Sequence, residues 1–426
     1  MQTLRYGDEG LFVRYLQTFL ERAGEDSGNA DGMFGRRTLR AVTSFQAANG
    51  LTDDGIVGAL TWAALYPYIC GYRMEVLSKA EPIEESAERF GIDPQLLLTA
   101  NPNGTFQAND AIVVPMPFDV TFRDLPYSSF LTAAVLEGLV VRYPFLDRFA
   151  IGSSVMGRTI EAIRIGKGPL KVGINAAHHA NEWITDPLTL LFLEQYAKAF
   201  ALGAEIDGVS ATDLYAQSTL VLVPLVNPDG VDLVTGAIDP TDSFYQSAKA
   251  LNSFYPSIPF PNGWKANILG IDLNLGYPTG WEQARAIKFA QGYTRPGPRD
   301  YVGTRPLEAP ENRAMFEWTN NERFDRTLSF HTQGEEIYWE YRGEAPTGSL
   351  ALAEQFAKAS GYRVASAPYN SSFAGYKDWF ISAFHKSGFT VEAGKGENPL
   401  PISDLVAIYR QTEGIFISAL TENGST

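Results

Sequence analysis

The chain is 426 residues long, 45% hydrophobic and 12% aromatic, which is ample for burial and too long for one typical core, so two or three domains are expected. Lys and Arg number 34 against 49 Asp and Glu, and the net charge of −15 repels nucleic acid and anionic lipid surfaces. No apolar run reaches the roughly 18 residues of a membrane span, and a single cysteine, Cys70, excludes an internal disulfide without deciding the redox compartment.

The opening Met1-Gln-Thr-Leu-Arg-Tyr-Gly-Asp8 passes directly into a folded-looking pattern, so no export signal is expected and the chain reads as cytoplasmic. Leu11, Tyr15, Leu16 and Phe19 fall on one face of a helix predicted over 10–23. A weak internal echo follows. Asp31-Gly-Met-Phe-Gly35 leads to Thr38 and Phe45-Gln46, and Asp54-Gly-Ile-Val-Gly58 leads to Thr61-Trp62, each a glycine turn before a helix capped by threonine or a neighbour. This stretch, residues 1–68, resembles the small three-helix peptidoglycan-binding module of bacterial wall hydrolases.

Residues 71–118 form a second unit. Glu84-Glu-Ser-Ala-Glu-Arg-Phe-Gly91 is a helix with a glycine stop, Asp93-Pro-Gln-Leu-Leu-Leu begins another, Asn101-Pro102 ends it, and Ala111-Ile-Val-Val-Pro115 is a strand. The strand–helix–helix–strand order resembles a LysM module, which implies binding of N-acetylglucosamine-containing glycans. The glycine-aspartate-threonine usual after the first strand is replaced by Ser78-Lys-Ala-Glu-Pro82, so a glycan site and a structural spacer both remain open.

Pro115-Met-Pro-Phe118 is a stiff connector into a third unit, 119–426. Gly157-Arg-Thr-Ile160 turns into the first sheet strands. Ile174-Asn-Ala-Ala-His-His-Ala-Asn-Glu182 then reads as strand, tight turn and helix, with two histidines at a strand's C-terminal end, the edge where open α/β sheets bind ligands. His179 and Glu182 can aim a ring nitrogen and a carboxylate oxygen at one point, the short half of a His/His/carboxylate zinc site. Of the four histidines, His178, His179, His331 and His385, His331 best suits the third ligand because it ends the apolar run Thr327-Leu-Ser-Phe330. His385, in Phe384-His-Lys-Ser-Gly388, reads as a helix-terminal surface residue with a glycine stop. Residues 220–226 form a buried strand that delivers Asn227-Pro-Asp-Gly230, a structural turn. Intervals 239–261 and 292–310 read as long loops able to wall a groove. Gly388-Phe-Thr-Val-Glu392-Ala-Gly-Lys-Gly396 brings a carboxylate to the end of an alternating apolar run, which is costly unless it is used or paired. A zinc on three protein ligands keeps a fourth position for water, whose pKa falls to about 7, and Glu392 suits taking its proton and passing it to a leaving amine.

From about residue 120 onward these motifs resemble the zinc metallocarboxypeptidases of the carboxypeptidase A type. The residues that carry the likeness are His179-Ala-Asn-Glu182, Val226-Asn-Pro-Asp-Gly230, Trp264-Lys-Ala-Asn267, Ile271-Asp-Leu-Asn274, His331 and Val391-Glu392. The resemblance implies an α/β fold with a mixed eight-stranded sheet between helices. It also implies one Zn2+ on His179, Glu182 and His331, carboxypeptidase A being a known His₂Glu zinc enzyme, with Glu392 as general base and acid. Lys265 falls where the family polarises the scissile carbonyl, and Asn274 among its substrate-binding positions. Tyr369, ten residues before Trp379 of Asp378-Trp379, falls near the family's mobile tyrosine, with a length difference that leaves the placement open.

Two departures bear on substrate. The family's Asn-Arg clamp for a terminal carboxylate, a planar fork matched to that group, is here Asn274-Leu275, and the arginine usual between the first two ligands is Asn181. With Glu335-Glu336-Ile-Tyr-Trp339 after the third ligand and wall-binding modules in front, the chain resembles the γ-D-glutamyl-meso-diaminopimelate peptidase branch. That implies peptidoglycan stem peptides and glycan as partners, on cell-wall or spore-wall material. Lys377, just before Asp378-Trp379, falls at the floor of the pocket beyond the cut, where an ammonium suits the diaminopimelate carboxylate; a register shift that turns it to solvent is the alternative. Two other functions stay open: a general zinc carboxypeptidase on protein C-termini, and a catalytically inactive peptidoglycan-binding protein.

Overall fold

The structure, a computed structural model, describes residues 2–421. The chain forms two compact units, one of the residues up to Pro126 with Ala133–Phe145, the other of Tyr127–Thr132 with the residues from Leu146 onward.

The first unit begins with helices α1 (Leu11–Arg22), α2 (Arg36–Ala48) and α3 (Ala59–Cys70). Helix α1 buries Tyr15, Leu16 and Phe19, as its apolar stripe predicts. A buried glutamine gives the internal echo its physical basis. Gln17 Nε2 lies 2.9 Å from Asp31 Oδ1, 3.1 Å from the Met33 carbonyl and 3.2 Å from Thr38 Oγ1, while Oε1 accepts from Gly32 N at 2.8 Å. One repeat later, Gln46 makes the same contacts with Asp54, Ile56, Thr61 and Gly55. The expected threonine caps are therefore corrected. Gly35 and Gly58 occupy the N-caps, and Thr38 and Thr61 lie inside the first helical turns as partners of the glutamines.

Strands β1 (Tyr72–Val76) and β2 (Ala111–Pro115) pair antiparallel around α4 (Ile83–Phe90) and α5 (Pro94–Ala100), the order expected. Gly91 ends α4 in the left-handed conformation and the Asp93 side chain caps α5. Leu77, Leu97, Ile112 and Val114 form the small core. Asn101 ties α5 to β2, donating to the Val113 carbonyl at 2.7 Å and accepting from Val113 N at 2.8 Å.

The chain continues through α6 (Ser129–Arg142), β3 (Asp147–Ser153), β4 (Thr159–Gly166), β5 (Leu170–Ala176), α7 (Thr185–Leu202), β6 (Glu205–Ile206), β7 (Val209–Ser210), α8 (Ala211–Gln217), β8 (Ser218–Val223), α9 (Pro228–Thr235), α10 (Ser243–Asn252), α11 (Trp281–Ala290), α12 (Pro310–Glu322), β9 (Arg326–His331), β10 (Glu336–Tyr338), α13 (Ser349–Ser360), β11 (Arg363–Ala365), α14 (Tyr376–Phe384), β12 (Ser387–Glu392) and α15 (Leu405–Leu420). Eight strands form a mixed sheet in the order β11-β10-β12-β9-β5-β8-β4-β3. The middle four, β12, β9, β5 and β8, are mutually parallel. They read as near-continuous apolar runs because both faces of the sheet are covered. On one face, Phe416 of α15 stacks between Phe330 and Phe192, with ring centroids 4.5 and 4.4 Å away. On the other, Val221 and Val223 join Met315, Trp318, Tyr376 and Trp379. Gly173, in the middle of β5, lets Phe324 approach: a Cβ there would lie 2.8 Å from the ring.

This topology positions the site. After β5 the chain passes to β8 on one side and later to β9 and β12 on the other, so the C-terminal ends of β5, β9 and β12 meet where the strand order reverses. His331 and Glu392 are the last residues of β9 and β12 and stand opposite each other in register.

Candidate metal centre

Beyond β5, Ala177 takes a left-handed conformation (φ +52°), unusual for a residue with a Cβ, and throws His178 and His179 off the strand end. The turn is held on three sides. Ala177 N donates to Thr185 Oγ1 (2.9 Å), Ala180 N donates to the Lys265 carbonyl (3.0 Å), and Asn227 Nδ2 donates to the His178 carbonyl (3.1 Å). Asn227 also caps α9, so the structural turn expected at 227–230 is the first turn of a helix. Asp229 of that motif binds Arg158 Nη1 and Ser154 Oγ, both at 2.8 Å. Its supporting role is thus visible in the contacts.

Three ligand atoms converge. His179 Nδ1 is 2.9 Å from Glu182 Oε1, His331 Nδ1 is 2.8 Å from Glu182 Oε2, and the two ring nitrogens are 3.1 Å apart. A tetrahedral zinc with bonds of about 2.0–2.1 Å sets its ligands roughly 3.3 Å from one another. The donor set and spacing fit that ion, and among the described residues this is the one metal-ligand cluster found. Behind His179, its Nε2 lies 3.2 Å from Asp272 Oδ1, the carboxylate–histidine arrangement that fixes ring orientation. Asn274 Nδ2 lies 3.5 Å from His331 Nε2, and its Oδ1 accepts from Tyr376 N (3.0 Å). Asp272 was legible only as a member of Ile271-Asp-Leu-Asn274; its signal is a carboxylate set in an otherwise apolar run.

The electrostatics follow from burial and crowding. Burial opposes the charge on Glu182, but His179 and Lys265 outweigh it and hold its carboxyl well below the usual range. Burial likewise opposes protonation of His179, yet the Glu182 and Asp272 carboxylates raise it to about 9. At His331 burial prevails and the pKa is lowered. A metal ion held by these three side chains would require His179 in its neutral form, so its binding would release a proton. Burial first, and the nearby Glu182 carboxylate second, push Glu392 up to about 8.

A cavity of about 240 Å³ opens beside the triad, lined by His179, Lys265, Asn274, Leu275, Lys377 and Glu392 among others. Lys265 Nζ lies 2.9 Å from Glu182 Oε1. Lys377 is buried, its Nζ 2.5 Å from both Asp378 Oδ1 and the Glu340 carbonyl, so it faces inward rather than to solvent. Leu275 packs with Trp281, Val302 and Phe373, leaving no polar clamp at that position. Tyr369 is not brought to the pocket. It is 61% exposed, its ring packs edge-on against Phe373, and its neighbours Pro368 and Ser371 line the wall instead. His385 is exposed and itself closes α14 in the left-handed conformation, so it is no ligand and Gly388 is not the stop. His178 is fully buried behind the centre, with Nε2 3.0 Å from Tyr277 Oη. The interval 239–261 is corrected: it contains α10, capped by Asp242, and none of its residues lines the cavity, whereas 292–310 supplies Arg299 and Asp300.

A parallel-centred sheet with a His/Glu/His cluster at its C-terminal edge and a carboxylate one strand away defines a metallopeptidase. Residues 132–413 match the zinc carboxypeptidase family, and the chain belongs to it; residues 9–65 match a peptidoglycan-binding domain. The chain is 43% identical over 285 residues to gamma-D-glutamyl-L-diamino acid endopeptidase 1 of Lysinibacillus sphaericus, covering 67% of this chain and 70% of that protein. It is 41% identical over 287 residues to the uncharacterised protein YqgT of Bacillus subtilis (strain 168), covering 67% and 74%. Among solved structures, carboxypeptidase A from Helicoverpa armigera shares the fold, with a TM-score of 0.53 at 19% identity over 81% of this chain and 83% of that one. The protein is a zinc metallopeptidase, and no helix among its described residues is long and apolar enough to cross a membrane.

Proposed function

We propose that this peptidase hydrolyses the γ-D-glutamyl-meso-diaminopimelate bond of peptidoglycan stem peptides. The observation that carries the reading is the pocket wall, where Glu392 and Lys265 flank the triad while apolar Leu275 stands in place of a guanidinium clamp for a main-chain carboxylate. The activity for which the Lysinibacillus sphaericus relative is named points the same way.

Zinc on His179, Glu182 and His331 would supply Lewis acidity, lowering the pKa of water and polarising a carbonyl. Glu392, at the end of β12, takes a proton from the attacking water and returns it to the leaving amine. Lys265 directs its ammonium at the developing oxyanion. Asp272 keeps the His179 ring turned toward the cluster. Lys377, buried in the wall, meets the carboxylate at the far end of the diaminopimelate side chain, with Asp378 holding its ammonium in place. The groove between 80–83 and 104–107 of the βααβ unit supports a glycan-docking, LysM-like role, which calorimetric titration of a chitooligosaccharide onto the full chain tests by presence or absence of heat.

Mass spectrometry of L-Ala-γ-D-Glu-meso-diaminopimelate incubated with the zinc-loaded protein tests the main reading. Release of free diaminopimelate is expected. Trimming of ordinary peptide C-termini without that release makes it a general carboxypeptidase, and sedimentation with peptidoglycan without any turnover makes it an inactive binding protein.

A further inference from the structure

The pocket wall carries four cationic side chains, and their counter-charges are unequal. Lys265 has Glu182 at 2.9 Å, and Lys377 has Asp378 at 2.5 Å. Lys288 and Arg299 share one carboxylate: Asp300 Oδ1 is 2.6 Å from Lys288 Nζ, and Asp300 Oδ2 is 2.7 Å from Arg299 Nε. Of the two, Lys288 is nearly buried against Asp300, while the Arg299 side chain is 43% exposed and has, besides Asp300, only the more distant charge of Asp272 acting on it. Only Nε of the guanidinium is engaged, and among the described residues neither terminal nitrogen has a hydrogen-bond partner.

The backbone on both sides of Arg299 is tied in. Asp300 sits at φ +64°, a conformation costly for a residue with a Cβ, and its N–H donates to Asp272 Oδ2 at 3.0 Å. The opposite oxygen of Asp272 faces His179. Just before Arg299, the Pro298 carbonyl accepts from Lys265 N (2.7 Å) and Ala266 N (3.0 Å). Arg299 is thereby fastened to the segment that carries Lys265, whereas Lys377 is anchored elsewhere in the wall, at Glu340 and Asp378.

We propose that Arg299 is a substrate-binding residue that takes a carboxylate on the acyl side of the scissile bond, namely the free α-carboxylate of the γ-linked D-glutamyl residue. The inference rests on the functional reading above and deepens it. A γ-linkage leaves that α-carboxylate ionised, a short aliphatic chain away from the carbonyl that Lys265 faces. A guanidinium with both terminal nitrogens available matches it bidentately. An ordinary α-linked peptide has no such group there, so Arg299 favours γ-glutamyl bonds, while Lys377 reads the diamino acid on the other side.

The experiment compares L-Ala-γ-D-Glu-meso-diaminopimelate with the same tripeptide whose glutamyl α-carboxylate is an amide, using wild type, Arg299→Gln and Arg299→Lys, all zinc-loaded. Wild type is expected to favour the acid by tenfold or more in kcat/KM. Arg299→Gln should lose about 30-fold or more on the acid, chiefly through KM, while changing little on the amide, so that the preference disappears. Arg299→Lys should keep part of it. Equal losses on both substrates, or a wild type indifferent to the amide, overturn the role of Arg299 and leave the proposed bond specificity standing. A wild type that cleaves neither tripeptide overturns both.

Discussion

His179, Glu182 and His331 each contribute one ligand atom to a cluster no wider than 4.8 Å, and among the described residues no other histidine, cysteine or carboxylate belongs to it. His179→Ala, Glu182→Ala and His331→Ala are expected to lower the zinc-to-protein ratio, read by atomic emission, and to abolish hydrolysis; a zinc-replete His331→Ala protein would sink the assignment. His178 lies against the same cluster yet directs Nε2 to Tyr277. His178→Ala should keep its zinc and lose about 1–3 kcal/mol of stability through the lost hydrogen bond to the buried Tyr277 hydroxyl, a lower melting temperature being the readout. Glu392 ends β12 beside the cluster without belonging to it. Glu392→Gln should keep zinc and fold but cut turnover by roughly 10²-fold or more, the scale of a lost general base; a near-normal rate means another group takes the proton. If Lys377 meets the diaminopimelate carboxylate, Lys377→Met should lose more on diaminopimelate stems than on lysine stems, whereas losing only its ion pair with Asp378 would cost both equally and remove its role as reader.

At the scale of elements, what was legible is what local pattern dictates. His331 and Glu392 close short apolar runs of strand length, so both could be read as strand-end residues before any contact was known. Asn227-Pro-Asp-Gly230 was visible as a motif but not as a helix start, since only the fold shows Asn227 capping α9. Helix α10 went unseen because the aromatic and proline residues around it mask a short helix begun by Asp242. The Lys288–Asp300–Arg299 cluster joins a helix to a proline-rich loop, and no spacing rule links them. Gln46 belonged to the visible echo and Gln17 did not, but the role of both was hidden for a different reason: buried amides look like surface residues until Asp31 and Asp54 are seen to meet them. Glycine placement is a further tertiary effect. A Cβ at Gly173 meets the Phe324 ring at 2.8 Å, whereas one at Gly388 meets Ile381 and Phe380 side chains at 3.2 Å. Gly173→Ala is expected to cost about 1–3 kcal/mol, the usual scale of overpacking, and Gly388→Ala clearly less. Denaturant midpoints in the reverse order would show that Phe324 moves aside freely.

At the scale of the whole molecule, the charge of −15 opposes the approach of an anionic stem peptide, so the individual Lys and Arg side chains of the pocket wall must act at short range, where salt screens little. A second whole-molecule consequence comes from Glu311, the second residue of α12, fully buried away from the pocket. It accepts from Val155 N and Asn267 Nδ2, both at 3.2 Å. Burial raises its pKa to about 7, with the Asp229 charge adding to the effect. The folded chain thus keeps Glu311 protonated at a pH where the unfolded chain has lost that proton. Between the ordinary glutamate value of about 4.5 and about 7, the folded state binds more protons, so stability falls as pH rises. The contribution is fully present below pH 4.5 and is lost by the time pH passes 7, in total about 3 kcal/mol at about 1.4 kcal/mol per unit. Glu311→Gln stays neutral throughout. Its lost or altered hydrogen bond adds an offset that does not vary with pH, so the difference between wild type and variant isolates the titration. Unfolding free energies measured from pH 4.5 to 7.5 in the zinc-loaded protein should converge toward the variant, or fall below it, as pH rises. A difference that stays constant over that range would show that Glu311 is ionised in the folded state throughout, its charge met by Asn267 and the α12 N-terminus.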